Sequence, residues 1–281
     1  MDERLSPLTH KPPEPIEDPR PLTFSVQIDG APTMVEFRPE FRIAPGNAVA
    51  TGEGIVSGSA IIGDRTVPAV LKEYRERDRK TFENAVTMQQ ALHEAGLRGI
   101  PLVAHEDLRI LSLNVNHSGY VALSSTNTSD IALPRSIERI DGFEEVVTRM
   151  CAEVIEATEK GYLLPSDAYF LLIDRNLGSI AHSRTADFFI GDFDFVRRQR
   201  ADETHTELFR NNVRDLAHFL SFFISTHCTE PLLESLRRSL VGTSEDYGLF
   251  GNLLTYATKA SWIPGAEMPQ FAGELRKIIY Q

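Results

Sequence analysis

At 281 residues, 42% of them hydrophobic and 25% charged, the chain has an ordinary globular composition and ample length for a buried core. Its formal net charge of −11 argues against a dedicated nucleic-acid or anionic-membrane binder, because such proteins concentrate positive charge. The two cysteines, Cys151 and Cys228, read as buried thiols of a reducing compartment rather than a disulfide framework, and the eight histidines show no zinc-like spacing. No apolar run reaches the roughly 18–20 residues of a spanning helix, and Met1-Asp2-Glu3-Arg4 leads into no apolar stretch. The expectation is a cytoplasmic protein, with release as an effector by dedicated secretion machinery left open.

In chain order, residues 1–21 carry Pro7, Pro12, Pro13, Pro15, Pro19 and Pro21 among few apolar residues and read as an extended, disordered tail. Paired strands are expected over Leu22–Ile28 and Thr33–Phe37 around Asp29-Gly30, and a hairpin over Gly58–Ile62 and Val67–Tyr74. A helix follows over Arg79–Glu94, with Phe82, Ala85, Val86, Gln89 and Leu92 on one face and Gly96 as the stop. Strands are expected over Leu102–Leu113, with a bend, and Gly119–Ser124, before a polar hinge at 125–130. A long helix over Gly142–Glu159 places Phe143, Val147, Met150, Val154 and Thr158 at helical spacing. Two strands, Phe170–Ile173 and Asp187–Val196, precede a helical remainder after Glu203.

Three features carry chemistry. In Gly191-Asp192-Phe193-Asp194-Phe195 two carboxylates stand one residue apart; on a strand they share a face, an oxygen pair suited to Mg²⁺, which takes few carboxylates plus water and phosphate oxygens. The glycines of Thr51-Gly52-Glu53-Gly54-Ile55-Val56-Ser57-Gly58 allow backbone N–H groups to approach phosphates closely. Lys72 ends the strand Val67-Pro68-Ala69-Val70-Leu71-Lys72, where its ammonium can reach phosphate oxygens or solvent. The basic run Arg197-Arg198-Gln199-Arg200 follows the carboxylates and is a further phosphate contact to test.

This series resembles the protein-kinase-like fold over about residues 45–225, and resembles small-molecule phosphotransferases and minimal bacterial effector kinases more than regulated protein kinases. The resemblance implies an α+β, bilobal architecture: a strand-rich N-lobe with one helix over 22–125, and a mostly helical C-lobe over 126–281. It implies ATP and Mg²⁺ as cofactors. Gly52, Gly54, Gly58 and Lys72 would bind nucleotide phosphates, with Glu83 holding Lys72 and Glu94 as the alternative holder. Leu123 and Ser124 would border adenine, Asp167 would be the catalytic base, and Asp192 with Asp194 would hold metal. The stretch Asn212-Val213-Arg214-Asp215-Leu216, opening the next helix, matches one whose Asp braces the catalytic loop.

The departures from that pattern keep other functions open. Pro165-Ser166 stands where a His-Arg pair normally precedes Asp167, no Asn occupies the second metal position, and Asp194 replaces a glycine. The metal motif also reads in a second register, Asp194-Phe195-Val196. The leading expectation is an ATP-dependent phosphotransferase acting on a hydroxyl of a protein or small molecule. A pseudokinase that binds nucleotide or a partner without turnover, and AMP transfer on the same fold, are the alternatives. The sequence names neither the acceptor nor the oligomeric state. Asp167 also reads as the N-cap of a short turn, Glu83 as plain surface charge, and Phe188, Phe189, Phe193 and Phe195 as core.

Overall fold

The computed structural model describes residues 14–17, 19–28, 31–45, 54–115, 120–124, 136–174 and 181–241. Seven strands form one sheet: β1 (Glu14–Pro15), β2 (Leu22–Ile28), β3 (Ala31–Pro45), β4 (Gly54–Ile62), β5 (Arg65–Glu73), β6 (Leu102–Glu106) and β7 (Arg109–Leu113). Their order is β1-β3-β4-β5-β7-β6, with β2 also paired to β3. Between β5 and β6 the chain makes a single 3₁₀ turn, Glu76–Asp78, and the helix α1 (Arg79–Glu94). The second sheet, β8-β11-β12-β9, comprises β8 (Tyr120–Leu123), β9 (Arg139–Asp141), β11 (Tyr169–Asp174) and β12 (His182–Ile190). A two-strand ribbon joins β10 (Tyr162–Leu163) to β13 (Arg197–Arg198), and the long helices are α2 (Phe143–Glu159), α3 (His205–His227) and α4 (Glu230–Val241). The class is α+β.

The periodicities have the expected physical outcome. Alternation along β4 and β5 sends Val56, Ala60, Ala69 and Leu71 into a core under the first sheet, with Phe24, Val35 and Phe37. The α1 stripe buries Ala85, Val86, Met88, Gln89 and Leu92. Its apolar members join a second core with Met150 and Val154 of α2, Leu171 and Ile190 of the second sheet, and Val213 and Leu216 of α3. Gly96 closes α1 at φ +74°, a left-handed position that favours glycine. A capping box between Thr204 and Glu207 starts α3.

Several boundaries differ from the sequence reading. Leu102–Leu113 is two strands, because Asp107 and Leu108 both take positive φ and reverse the chain. Glu14–Pro15, part of the proline-rich stretch, pairs with Arg42 and Phe41 of β3. Strand β8, within the span expected as the N-lobe, pairs with β11 in the second sheet. The strand expected over Asp187–Val196 stops at Ile190, so residues 191–196 form a loop. Helix α3 begins at His205, which puts Asn212 to Leu216 two turns inside it. The turn at Asp29-Gly30, the expected hinge at 125–130 and everything after residue 241 lie outside the described residues.

Candidate nucleotide and phosphoryl-transfer site

The β11–β12 hairpin brings two carboxylates to one end. Tyr169 pairs with Ile190, so Asp167, two residues before Tyr169, and Asp192, two residues after Ile190, emerge side by side. The Gly191 N–H donates to the Ala168 carbonyl at 2.9 Å and ties the two loops together. A Cβ at Gly191 would meet the side-chain ends of Ile100, Phe170 and Phe189 at 2.9 Å, so a larger residue there would have to displace them. The α1–β6 connection docks on the same strand end: Ile100 N–H donates to Ile190 O, and Ile190 N–H to Arg98 O, both at 2.8 Å.

From the first sheet comes Lys72. Leu71 faces the core below, so Lys72 points the other way, toward the loop after β12. Its ammonium donates to Asp194 Oδ2 at 2.7 Å and reaches Asp192 Oδ1 at 3.3 Å. Tyr74, two residues on and still directed to that side, donates its hydroxyl to Asp194 Oδ1 at 2.6 Å and sets its ring 5.0 Å from Lys72 Nζ. Asn84 on α1 donates through Nδ2 to the carbonyls of Phe193, Asp194 and Val196 at 3.3, 3.1 and 2.9 Å. Residues 193–196 are thereby fastened to α1.

Asp192 and Asp194 meet Lys72 from a loop rather than from a pleated strand. The Asp194 N–H reaches back to Asp192 Oδ1 at 3.3 Å, an Asx-type turn that sets their relation. Phe193 is buried beside Leu92 and Gly99, whereas Phe195 is 54% exposed, so the phenylalanines do not share a face. The side chain of Asp192 is 36% exposed and that of Asp194 only 2%.

Electrostatics link Asp167 to this group. Burial pushes its carboxyl above the usual range, the negative charges of Asp192 and Asp194 push the same way, and Lys72 opposes them. Asp192 is also raised, chiefly by burial, with Lys72 opposing and Asp194 reinforcing. Asp215 on α3 is pushed up to about 6, mainly by burial, and Asp167 adds to the shift. Asp167 sits in the middle of a single 3₁₀ turn, Ser166–Ala168, whose N-cap is Pro165, so it caps nothing itself.

The structure thus brings Lys72, Asp167, Asp192 and Asp194 together. It leaves Glu83 exposed on α1, away from Lys72, and Glu94 exposed at the last turn of that helix. Gly54 opens β4 and Gly52 lies outside the described residues. Gly58 has a packing reason to be glycine, since a Cβ there would lie 2.0 Å from the Arg38 carbonyl oxygen. Leu123 is core, and His227 Nε2 lies 3.2 Å from the Ser124 carbonyl. The basic run is taken up locally: Arg197 donates to both oxygens of Glu203 at 2.8 and 3.0 Å, and Arg198 stacks on Tyr162 at 4.0 Å.

Tyr74 and Asn84 have no site role in the sequence reading, and Asn212 is named there only as part of its stretch. Tyr74 was legible from its two-residue offset from Lys72, and Asn212 from its polarity within the apolar stripe of α3. Asn212, not Asp215, braces the loop: it accepts from Leu164 N–H at 2.8 Å and donates to the Tyr162 carbonyl at 2.8 Å. Asn84 carried no local signal.

The donor set suits Mg²⁺. Asp192 Oδ2 has no hydrogen-bond partner among the described residues, and it belongs to the more exposed carboxylate. No group of three or more His, Cys, Asp or Glu side chains poised to hold a metal occurs among the described residues. A divalent ion here would accordingly be held by one or two carboxylates, with phosphate and water completing its shell.

Neither the family models nor the curated proteins give a match to this sequence. Among solved structures, the chain is similar to a Rio2 kinase from Chaetomium thermophilum, determined as an ADP/Mg²⁺-phosphoaspartate complex. Identity is 12%, the TM-score is 0.42, and the match covers 85% of this chain and 71% of that one. A likeness at this level names no family for the chain, and the site residues stand on their own contacts.

Proposed function

We propose that this protein is an ATP-dependent phosphotransferase that moves the γ-phosphoryl group to a hydroxyl acceptor. The observation that carries this reading is the meeting of Lys72 with Asp192 and Asp194, about 120 residues apart in sequence, beside the raised carboxyl of Asp167. Phosphoryl transfer needs positioning and charge neutralisation more than covalent chemistry, and these groups supply both. Lys72 gives a cation for phosphate oxygens. Asp192, with Asp194 beside it, would hold Mg²⁺, and the bound ion would supply positive charge to offset that of the phosphates. Asp167 orients the acceptor hydroxyl and takes its proton, a role its raised pKa favours.

A second reading is favoured by one contact: the Lys72 ammonium rests on both carboxylates while Glu83 stands away from it. That arrangement would also serve a pseudokinase, a module that binds nucleotide or a partner without turnover. Transfer of label from γ-³²P-ATP, in autophosphorylation and to hydroxyl acceptors, separates the two. Transfer by the wild type that is lost in Asp167→Ala with ATP binding retained is the expected result. Tight, Mg²⁺-dependent binding with no transfer to any acceptor would favour the pseudokinase, and transfer of labelled AMP instead would identify nucleotidyl chemistry.

A further inference from the structure

Within the phosphotransferase reading, on which this step rests, the geometry points to a division of labour between the two carboxylates: Asp194 positions Lys72, and Asp192 alone faces the metal. The side chain of Asp194 is 2% exposed and both of its oxygens are engaged by protein donors, Oδ1 by the Tyr74 hydroxyl at 2.6 Å and Oδ2 by Lys72 at 2.7 Å. A carboxylate so engaged and so nearly closed to solvent is poorly placed to enter a hydrated Mg²⁺ shell. The side chain of Asp192 is 36% exposed, its contact to Lys72 is longer at 3.3 Å, and its Oδ2 is open.

Asp194 is itself held on three sides. Tyr74 orients the carboxylate, and packs edge-on against Phe82 of α1 at 5.6 Å between ring centroids. Asn84 grips the backbone on both sides of Asp194. Lys72, only 17% exposed in its side chain, therefore has its ammonium fixed by a residue of the loop after β12, which α1 secures through an amide instead of a carboxylate. A charge-assisted bond of this length fixes direction as well as charge, so Asp194 sets where Lys72 meets phosphate. Tyr74 is an auxiliary to it.

The test measures ADP affinity calorimetrically in EDTA and again in Mg²⁺, for the wild type and for Lys72→Ala, Asp192→Asn, Asp194→Asn, Tyr74→Phe and the Lys72→Ala/Asp194→Asn pair. Asp194→Asn is expected to lower metal-free affinity on the order of tenfold, as Lys72→Ala does, while keeping the Mg²⁺ enhancement. The double variant should be no weaker than Lys72→Ala. Asp192→Asn should show the reverse, with metal-free affinity intact and the Mg²⁺ enhancement gone. Tyr74→Phe, which deletes one oxygen, should move a few-fold in the direction of Asp194→Asn and covers the case in which that variant fails to fold. Loss of the Mg²⁺ enhancement in Asp194→Asn, or a metal-free affinity unchanged in both Asp194→Asn and Tyr74→Phe, overturns the assignment while leaving the nucleotide reading in place. Absence of ADP binding by the wild type under both conditions overturns the nucleotide reading itself, and this assignment with it.

Discussion

Asp167 is raised by burial and by its acidic neighbours, and a base must be deprotonated to work. The acid limb of the rate profile is therefore expected above the pH of an ordinary carboxylate, with activity rising as pH increases through it. Asp167→Asn should reduce the rate by about 10²–10⁴-fold and abolish that limb. A residual rate with the limb unchanged would assign the base elsewhere. Asp215 titrates at about 6 in the folded chain against 3.8 for the free group, so folding favours its protonated form. The stability tied to this raised pKa is fully present below about pH 3.8 and is lost as pH rises through about 6. Asp215→Asn should then stabilise the protein by on the order of 1–2 kcal/mol at pH 7 relative to wild type, with the advantage vanishing near pH 4. Denaturant midpoints at the two pH values check the sign; a variant less stable at pH 7 would mean that the ionised carboxylate is held by favourable contacts.

At the scale of elements, local periodicity was the reliable guide. Leu22–Ile28 and Arg79–Glu94 were legible to the residue, because a regular apolar pattern over seven and sixteen residues leaves little freedom of boundary. The end of β12 was not legible. The apolar run through Phe193 and Phe195 continues past Ile190, but the Asx turn at Asp192 and the three bonds from Asn84 bend the chain out of the sheet. The Asn84 bonds join residues about 110 apart, and nothing in the local sequence encodes them. The same holds for the pairing of β8 with β11. The resemblance offered Glu83 as the partner of Lys72, where the structure has Asp194, and Asp215 as the loop brace, where the structure has Asn212. Asn212 is fully buried and satisfies two buried backbone groups of the loop before Asp167. Asn212→Ala should cost about 2–4 kcal/mol by leaving those groups unpaired, and should increase hydrogen exchange at Leu164. Unchanged exchange there would show the loop to be held by other means.

Across the molecule, the site is assembled from parts that no single element could supply. Lys72 comes from the middle of the first sheet, Asp167 and Asp192 from one end of the second, and the core that includes α1 runs continuously into α2 and α3. No described helix is long and apolar enough to cross a membrane. Gly58 illustrates how whole-sheet packing can mimic a functional signal. A side chain there meets the β3 backbone, so Gly58→Ala should lower stability by about 1–3 kcal/mol while the nucleotide affinity of the folded protein stays unchanged. Weakened affinity at unchanged stability would return Gly58 to the phosphate-binding loop.

The central claim is that Lys72 and Asp192 form one phosphate-and-metal site. Its most direct test is thermal unfolding during an ATP titration, with and without Mg²⁺, in the wild type, Lys72→Ala and Asp192→Ala. A ligand that binds only the folded state stabilises it by about 2.7 kcal/mol at one hundred times its dissociation constant. The wild type should show a concentration-dependent rise in Tm that is larger with Mg²⁺. Lys72→Ala should lose most of that rise under both conditions, and Asp192→Ala only the part that depends on Mg²⁺. A wild-type Tm that ATP leaves unmoved under either condition, or one that rises equally in all three proteins, would contradict the claim.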